Sequence, residues 1–278
     1  MSVKVAVISP GAMGASIGAF LARRGAMVFT DLDNRGAASV KRAEQAGMTH
    51  ASKAELMGCE IIISIVPPAA AESLSEEIAA LYAQHDTKPL YMDCNAINPE
   101  TLARTAANIE RNGGRFVDAS IIGGPAQAGQ PSPLFFVCGP NSTEALRLKK
   151  FGLRMHALEG PNGRASAVKM AYGGLTKGLT ALGCAMILGG IEAGVSDDLH
   201  RELKASRPQL FETLSNDIPK MFSKAGRWVA EMEEISGFLG EESAQGKMFE
   251  QIAALYRRIA DETGKDDVEK LRTFFTSV

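Results

Sequence analysis

A lysine set among small apolar residues is the most chemically suggestive position in the sequence. In Arg164-Ala165-Ser166-Ala167-Val168-Lys169-Met170-Ala171-Tyr172-Gly173, Lys169 falls in a helical pattern whose neighbours would strip water from its ammonium group. Desolvation disfavours the charged form and lowers the pKa, as a general base working near neutral pH requires. At 3.6 residues per turn, Tyr172, Gly173 and Thr176 share its face, and the bare backbone at Gly173 would let a small substrate lie close.

A second constellation lies near the start of the chain, where Val5 to Ile8 read as a strand and Ser9-Pro10-Gly11-Ala12-Met13-Gly14 leads into a helix. In the G-x-G-x-x-G turn, the second glycine lets backbone amides approach a pyrophosphate and the third lets the helix pack closely on the strand. Gly11 and Gly14 fill those roles, and Ser9 stands where the tight turn usually takes glycine. Amides at Ala12 and Met13, with the helix dipole, would hold the anion. After the next strand, Asp31 could bind the ribose 2′-hydroxyl of NAD, whereas Asn34 and Arg35 could wrap the 2′-phosphate of NADP. The expected cofactor is NAD(P), with the balance tipped slightly towards NADP.

The elements that must carry these residues alternate. Strands are expected at Lys4–Ile8, Met27–Thr30, Ile61–Val66, Leu90–Asp93, Arg115–Asp118 and Phe135–Cys138, with helices at Ala12–Arg24, Ala37–Ala46, Ala70–Gln84 and Pro99–Asn112 between them. Such alternation implies a largely parallel sheet covered on both faces. Beyond Gly163 the pattern is all-helical: Arg164–Ala193, Leu199–Leu203, Pro208–Ser215, Lys220–Leu239, Lys247–Thr263 and Val268–Phe275. Gly160, Pro161 and Gly163 mark a boundary, giving domains 1–162 and 163–278.

Composition narrows the function class. The chain has 278 residues, 45% hydrophobic, with 30 Lys+Arg against 32 Asp+Glu and a formal charge of −2. That balance leaves no basic footprint for nucleic acid. Cys59, Cys94, Cys138 and Cys184 are widely spaced, fitting buried thiols in a reducing cytoplasm with no metal site. The apolar run Leu179–Val195 contains Glu192 and several glycines, so a buried helix is expected there and no membrane span. No export signal is read at the N-terminus.

Taken in order, five segments resemble the β-hydroxyacid dehydrogenase superfamily, which includes 3-hydroxyisobutyrate and 6-phosphogluconate dehydrogenases. They are the Ser9–Gly14 turn, Val66-Pro67-Pro68, Asp93-Cys94-Asn95-Ala96-Ile97-Asn98-Pro99, Asp118-Ala119-Ser120-Ile121-Ile122-Gly123-Gly124-Pro125 and Gly163–Met170. The resemblance implies a Rossmann-type, doubly wound sheet, a long interdomain helix and an all-α C-terminal domain, usually assembled as dimers or larger. It implies that Lys169 is the catalytic acid/base and that a small carboxylate substrate binds in a cleft between the domains. Val66, Pro67 and Asn95 would border the cofactor. Gly123 and Gly124 would bind the substrate carboxylate, with Tyr172 and Gly173 nearby. Two departures stand out. Ile122 replaces a serine of the family, leaving Ser120 as the nearest hydroxyl, and Gly173 replaces an asparagine. The expected activity is hydride transfer between NAD(P) and a small β-hydroxy acid. Imine reduction, oxidative decarboxylation and a non-catalytic NAD(P)H sensor are the alternatives.

Overall fold

Strands with both faces covered read as unbroken apolar runs, and Ile61–Ser64 and Leu90–Asp93 are buried at every position. A computed structural model describes residues 3–276. The first unit contains β1 (Lys4–Ile8), α1 (Ala12–Ala22), β2 (Met27–Thr30), α2 (Ala37–Gln45), β3 (Thr49–His50), β4 (Ile61–Ser64), α3 (Ala71–Gln84) and β5 (Leu90–Asp93). It continues through α4 (Pro99–Arg111), β6 (Arg115–Ile122), β7 (Leu134–Cys138), α5 (Ser142–Ala145) and β8 (Arg154–Ala157). The sheet order is β3-β2-β1-β4-β5-β6-β7-β8, parallel except at β6–β7. Successive side chains point to opposite faces. Val5 and Val7 therefore join one core with Ile61 and Ile63, while Ala6 and Ile8 join the other with Ile62. The strand order reverses direction between β1 and β4, the point at which doubly wound sheets open a ligand crevice.

The helical run begins with α6 (Arg164–Glu192) and continues as α7 (Ser196–Ser206), α8 (Pro208–Met221), α9 (Ala225–Leu239), α10 (Ala244–Ala260) and α11 (Lys265–Thr276). In the second unit, α6 lies close to its neighbours. A Cβ at Gly174 or Gly178 would come 3.3 Å from the Phe249 ring. The Tyr256 hydroxyl donates to the Lys177 carbonyl at 2.5 Å, and Lys177 pairs with Glu231.

Two compact units span residues 1–169 and 170–278, so their boundary falls within α6. Several expectations about the elements are corrected. Asp118 is a buried residue of β6. Its carboxylate accepts the N–H groups of Gly163 (2.8 Å), Ala165 (3.0 Å) and Ser166 (3.2 Å), the Ser166 hydroxyl (2.7 Å) and the Cys138 thiol (3.0 Å). The first turns of α6 are thereby fastened to the sheet. β6 extends four residues past the expected Asp118 end because its far half pairs with β7. β4 ends at Ser64, short of Val66, whose N–H turns to the Asn95 side chain instead. β3 and β8 were not expected, and Lys220–Leu239 is not one helix: α8 runs through Pro219 to Met221, and α9 restarts at Ala225. Nor is α6 buried all round. Tyr172, Leu175, Leu179, Leu182 and Met186 are 39–76% exposed. By length and composition α6 is apolar enough to cross a membrane.

The three other cysteines that join Cys138 differ little from it. Cys94, Cys138 and Cys184 are buried and Cys59 is half-buried. Burial raises every thiol, Cys59 to about 11 and Cys138 and Cys184 to about 12.

Replacing Asp118 by Ala strands these donors in the interior and should cost the first unit about 3 kcal/mol or more in urea unfolding followed by circular dichroism. Asp118→Asn, which retains one acceptor, should cost less.

Candidate functional site

The β1–α1 turn is built around two backbone constraints. Ser9 adopts φ 72°, the left-handed conformation that the first glycine of such a turn normally supplies. A Cβ on Gly14 would lie 2.1 Å from the Ser9 carbonyl oxygen, so only glycine fits there. The Arg42 guanidinium donates to the Pro10 carbonyl at 3.0 Å and holds the turn from α2. Gly11 caps α1 in extended conformation without a side-chain bond, and the first turn has no acidic residue. The first intrahelical donor is Ala15, to the Gly11 carbonyl at 2.9 Å, which leaves the amides of Ala12, Met13 and Gly14 pointing out of the helix end. A Cβ at Gly11 would meet nothing within 4 Å. An uncapped, positively polarised helix end with open space before it suits a pyrophosphate.

At the end of β2, Asp31 is buried and its Oδ1 accepts the Asp33 N–H at 2.9 Å. Asn34 has φ 58°, and Arg35 is exposed. Just after β5, Asn95 is buried with its side chain fully engaged. Its Nδ2 donates to Asp93 Oδ2 (2.9 Å) and Ser64 Oγ (3.0 Å), and its Oδ1 accepts the Val66 N–H (2.7 Å). Asn95 therefore ties the ends of two parallel strands together and orients Val66. Pro67, exposed, begins the turn that follows. Asp93 also accepts the Asn95 N–H at 2.9 Å. Burial, with the neighbouring Asp118 carboxylate adding to it, raises the Asp93 carboxyl to about 7 against the opposing pull of the Asn95 donors.

Lys169 is half-buried, and its Nζ donates to the Ile121 carbonyl at 2.6 Å. Two residues further on, Gly123 (φ 115°) and Gly124 line a cavity of about 420 Å³ with Gln127, Gln130, Ser132 and Arg154. No acidic residue lines it. Ser120, expected as the hydroxyl nearest the substrate, lies beyond the expected strand end but inside the observed β6. It is fully buried within β6 opposite Phe136, and its hydroxyl has no partner among the described residues. Tyr172 and Gly173 belong to the second unit. Tyr172 is 49% exposed, whereas Gly173 is buried, and a Cβ there would meet Ile235 of α9 at an ordinary contact distance of 3.7 Å.

Asp118 and Arg154 carry roles the sequence reading did not assign. An acid inside an otherwise apolar strand signals a buried partner and could have revealed the first. Arg154 sits on a short edge strand whose polar pattern gives no such signal.

The family described as the NAD-binding domain of 6-phosphogluconate dehydrogenase matches residues 4–151, and a domain of unknown function, DUF1932, matches residues 192–259. No curated protein sequence matches. Among solved structures, conserved protein MTH1747, described as structurally similar to 3-hydroxyacid dehydrogenases, is 25% identical with a TM-score of 0.70, covering 97% of this chain and 99% of its own. A conserved hypothetical protein from Sinorhizobium meliloti is 23% identical (TM-score 0.69; 99% and 97% covered). The 3-hydroxyisobutyrate dehydrogenase of Mycobacterium tuberculosis, solved with L-serine, shares the fold at 16% identity (TM-score 0.71; 98% and 99% covered).

The raised carboxyl of Asp93 has a measurable consequence. A folded-state pKa above the unfolded value means that folding favours the protonated form. Its contribution to stability is fully present below about pH 4 and is lost as pH rises to about 7. In denaturation series across pH 4 to 8, Asp93→Asn should gain stability relative to the parent until about pH 7 and then level off.

Proposed function

The chain belongs to the family of the 6-phosphogluconate dehydrogenase NAD-binding domain, within the β-hydroxyacid dehydrogenase superfamily, and from this membership we propose that it is an NAD(P)-dependent oxidoreductase acting on a small β-hydroxy acid or its carbonyl form. The observation that carries the reading is Lys169 Nζ, 2.6 Å from the Ile121 carbonyl and two residues before Gly123-Gly124. A lone surface lysine would have no such strand-end anchor.

The residues that would hold the dinucleotide are Ser9, Gly11, Ala12, Met13 and Gly14 at its pyrophosphate, Asp31, Asn34 and Arg35 at its ribose, and Val66 and Pro67 beside its ring. When bound, it supplies the hydride acceptor or donor. The protein's part is proton management and orientation. Lys169 in its neutral form keeps an N–H on the Ile121 carbonyl while its lone pair takes the hydroxyl proton, and in reverse the ammonium returns that proton to the forming alkoxide. The backbone amides of Gly123 and Gly124 orient the substrate carboxylate.

The exposed face of α6 supports assembly of two copies. Tyr172, Leu175, Leu179, Leu182 and Met186 recur at intervals of three and four, nearly symmetric about Leu179, and the exposed positions from Ala171 to Gly189 carry no charge. Two copies crossing antiparallel would set Tyr172 against Met186 and Leu175 against Leu182.

Lys169→Met should lower turnover of the active hydroxy acid by about 10²-fold or more while dinucleotide affinity stays within a few-fold. Retained turnover removes the acid/base assignment. A parent protein that binds NAD(P)H tightly yet turns over no hydroxy acid supports the sensor. In sedimentation velocity, the parent should run as a dimer and Leu179→Asp as a folded monomer. A monomeric parent that cosediments with lipid vesicles would assign the face to a membrane instead.

A further inference from the structure

The acid after β2 normally accepts a ribose hydroxyl and repels a 2′-phosphate by its charge. In this chain that charge is answered from within. Asp31 Oδ2 lies 3.9 Å from Lys53 Nζ, and the lysine also pairs with Glu77 of α3. Lys53 reaches this position because β3 runs parallel to β2 with Phe29 opposite Thr49 and Thr30 opposite His50, and because Ala51 N–H donates to the Thr30 carbonyl at 3.0 Å. The Lys53 side chain is 36% exposed and that of Asp31 only 4%, so the ammonium is the solvent-facing member of the pair. Asp33 lies 3.6 Å from His50 Nε2, while His50 Nδ1 accepts the Leu32 N–H at 3.2 Å. On the same loop, the exposed Arg35 guanidinium makes no hydrogen bond or ion pair among the described residues.

We propose that Lys53 selects the cofactor: by neutralising Asp31 it removes the barrier to a 2′-phosphate, and with Arg35 it binds that phosphate, so the chain prefers NADPH to NADH. The inference rests on the dinucleotide-binding reading above. On phosphate binding, Lys53 would exchange part of its contact with the exposed Glu77 for the phosphate oxygens and keep Asp31 behind it, so the buried carboxylate is never left without a cation.

The test compares dissociation constants for NADPH and NADH by cofactor fluorescence, and for 2′,5′-ADP and 5′-AMP by calorimetry, in the parent protein and in Lys53→Met. The expected result is a loss of tenfold or more for NADPH and 2′,5′-ADP, with NADH and 5′-AMP changed less than threefold. Because Lys53→Met alone leaves Asp31 uncompensated, Asp31→Asn/Lys53→Met is compared with Asp31→Asn alone, against which it should show the same selective loss with the fold intact. An NADPH to NADH affinity ratio unchanged within twofold in both variants overturns the proposal, as does a parent that prefers NADH. A parent that binds neither dinucleotide overturns the dinucleotide reading first and this inference with it, and that outcome is visible before any variant is made.

Discussion

Asp118 collects hydrogen bonds from three backbone amides, a hydroxyl and a thiol while wholly buried in β6. A carboxylate in that setting is stabilised by the positive end of the helix it caps, and in return it fastens the first turn of α6 to β6. Lys169 sits little more than one turn into that helix, and its Nζ falls on the Ile121 carbonyl three residues along the same strand. Strand, cap and lysine form one rigid unit. The position of the ammonium group is inherited from the strand and does not depend on a flexible loop.

A similar economy governs the neighbouring strand ends. Asp93 and Asp118 lie side by side in register on β5 and β6. One meets a helix terminus and the other meets Asn95, whose amide has no hydrogen to spare after serving Asp93 and Ser64. Two adjacent buried carboxylates thus organise different loops: Asp118 the start of α6, Asp93 the Ser64–Val66 segment. Across the sheet, the β1–α1 turn leaves its amides unused and keeps the space before Gly11 clear.

Much of this was legible in the residues. The parallel strands announced themselves as apolar runs and the crossover helices by their period, because burial on both sheet faces leaves no other pattern. The glycine turn and the lysine were visible because few residue types fit those places. Elements held by tertiary pairing were not visible. Thr49–His50 has too little apolar character to signal a strand, and Arg154–Ala157 buries one residue in four. The far half of β6 forms because β7 folds back on it, which placed Ser120 inside a strand. The expected gap between Ser215 and Lys220 is helical in α8, while the interruption falls at residues 222–224. Lys53 escaped notice because its meaning comes from a register between β2 and β3 that no local spacing encodes.

The sulfur atoms have a final implication for how this molecule ages. Thiolate is the form that peroxides and electrophiles attack, and each of the four cysteines is held far towards the protonated thiol at physiological pH. Reagents that alkylate or oxidise cysteine should therefore find little to react with until the chain opens. The rate of thiol capture then becomes a clock for unfolding, one that needs no substrate and no knowledge of the reaction.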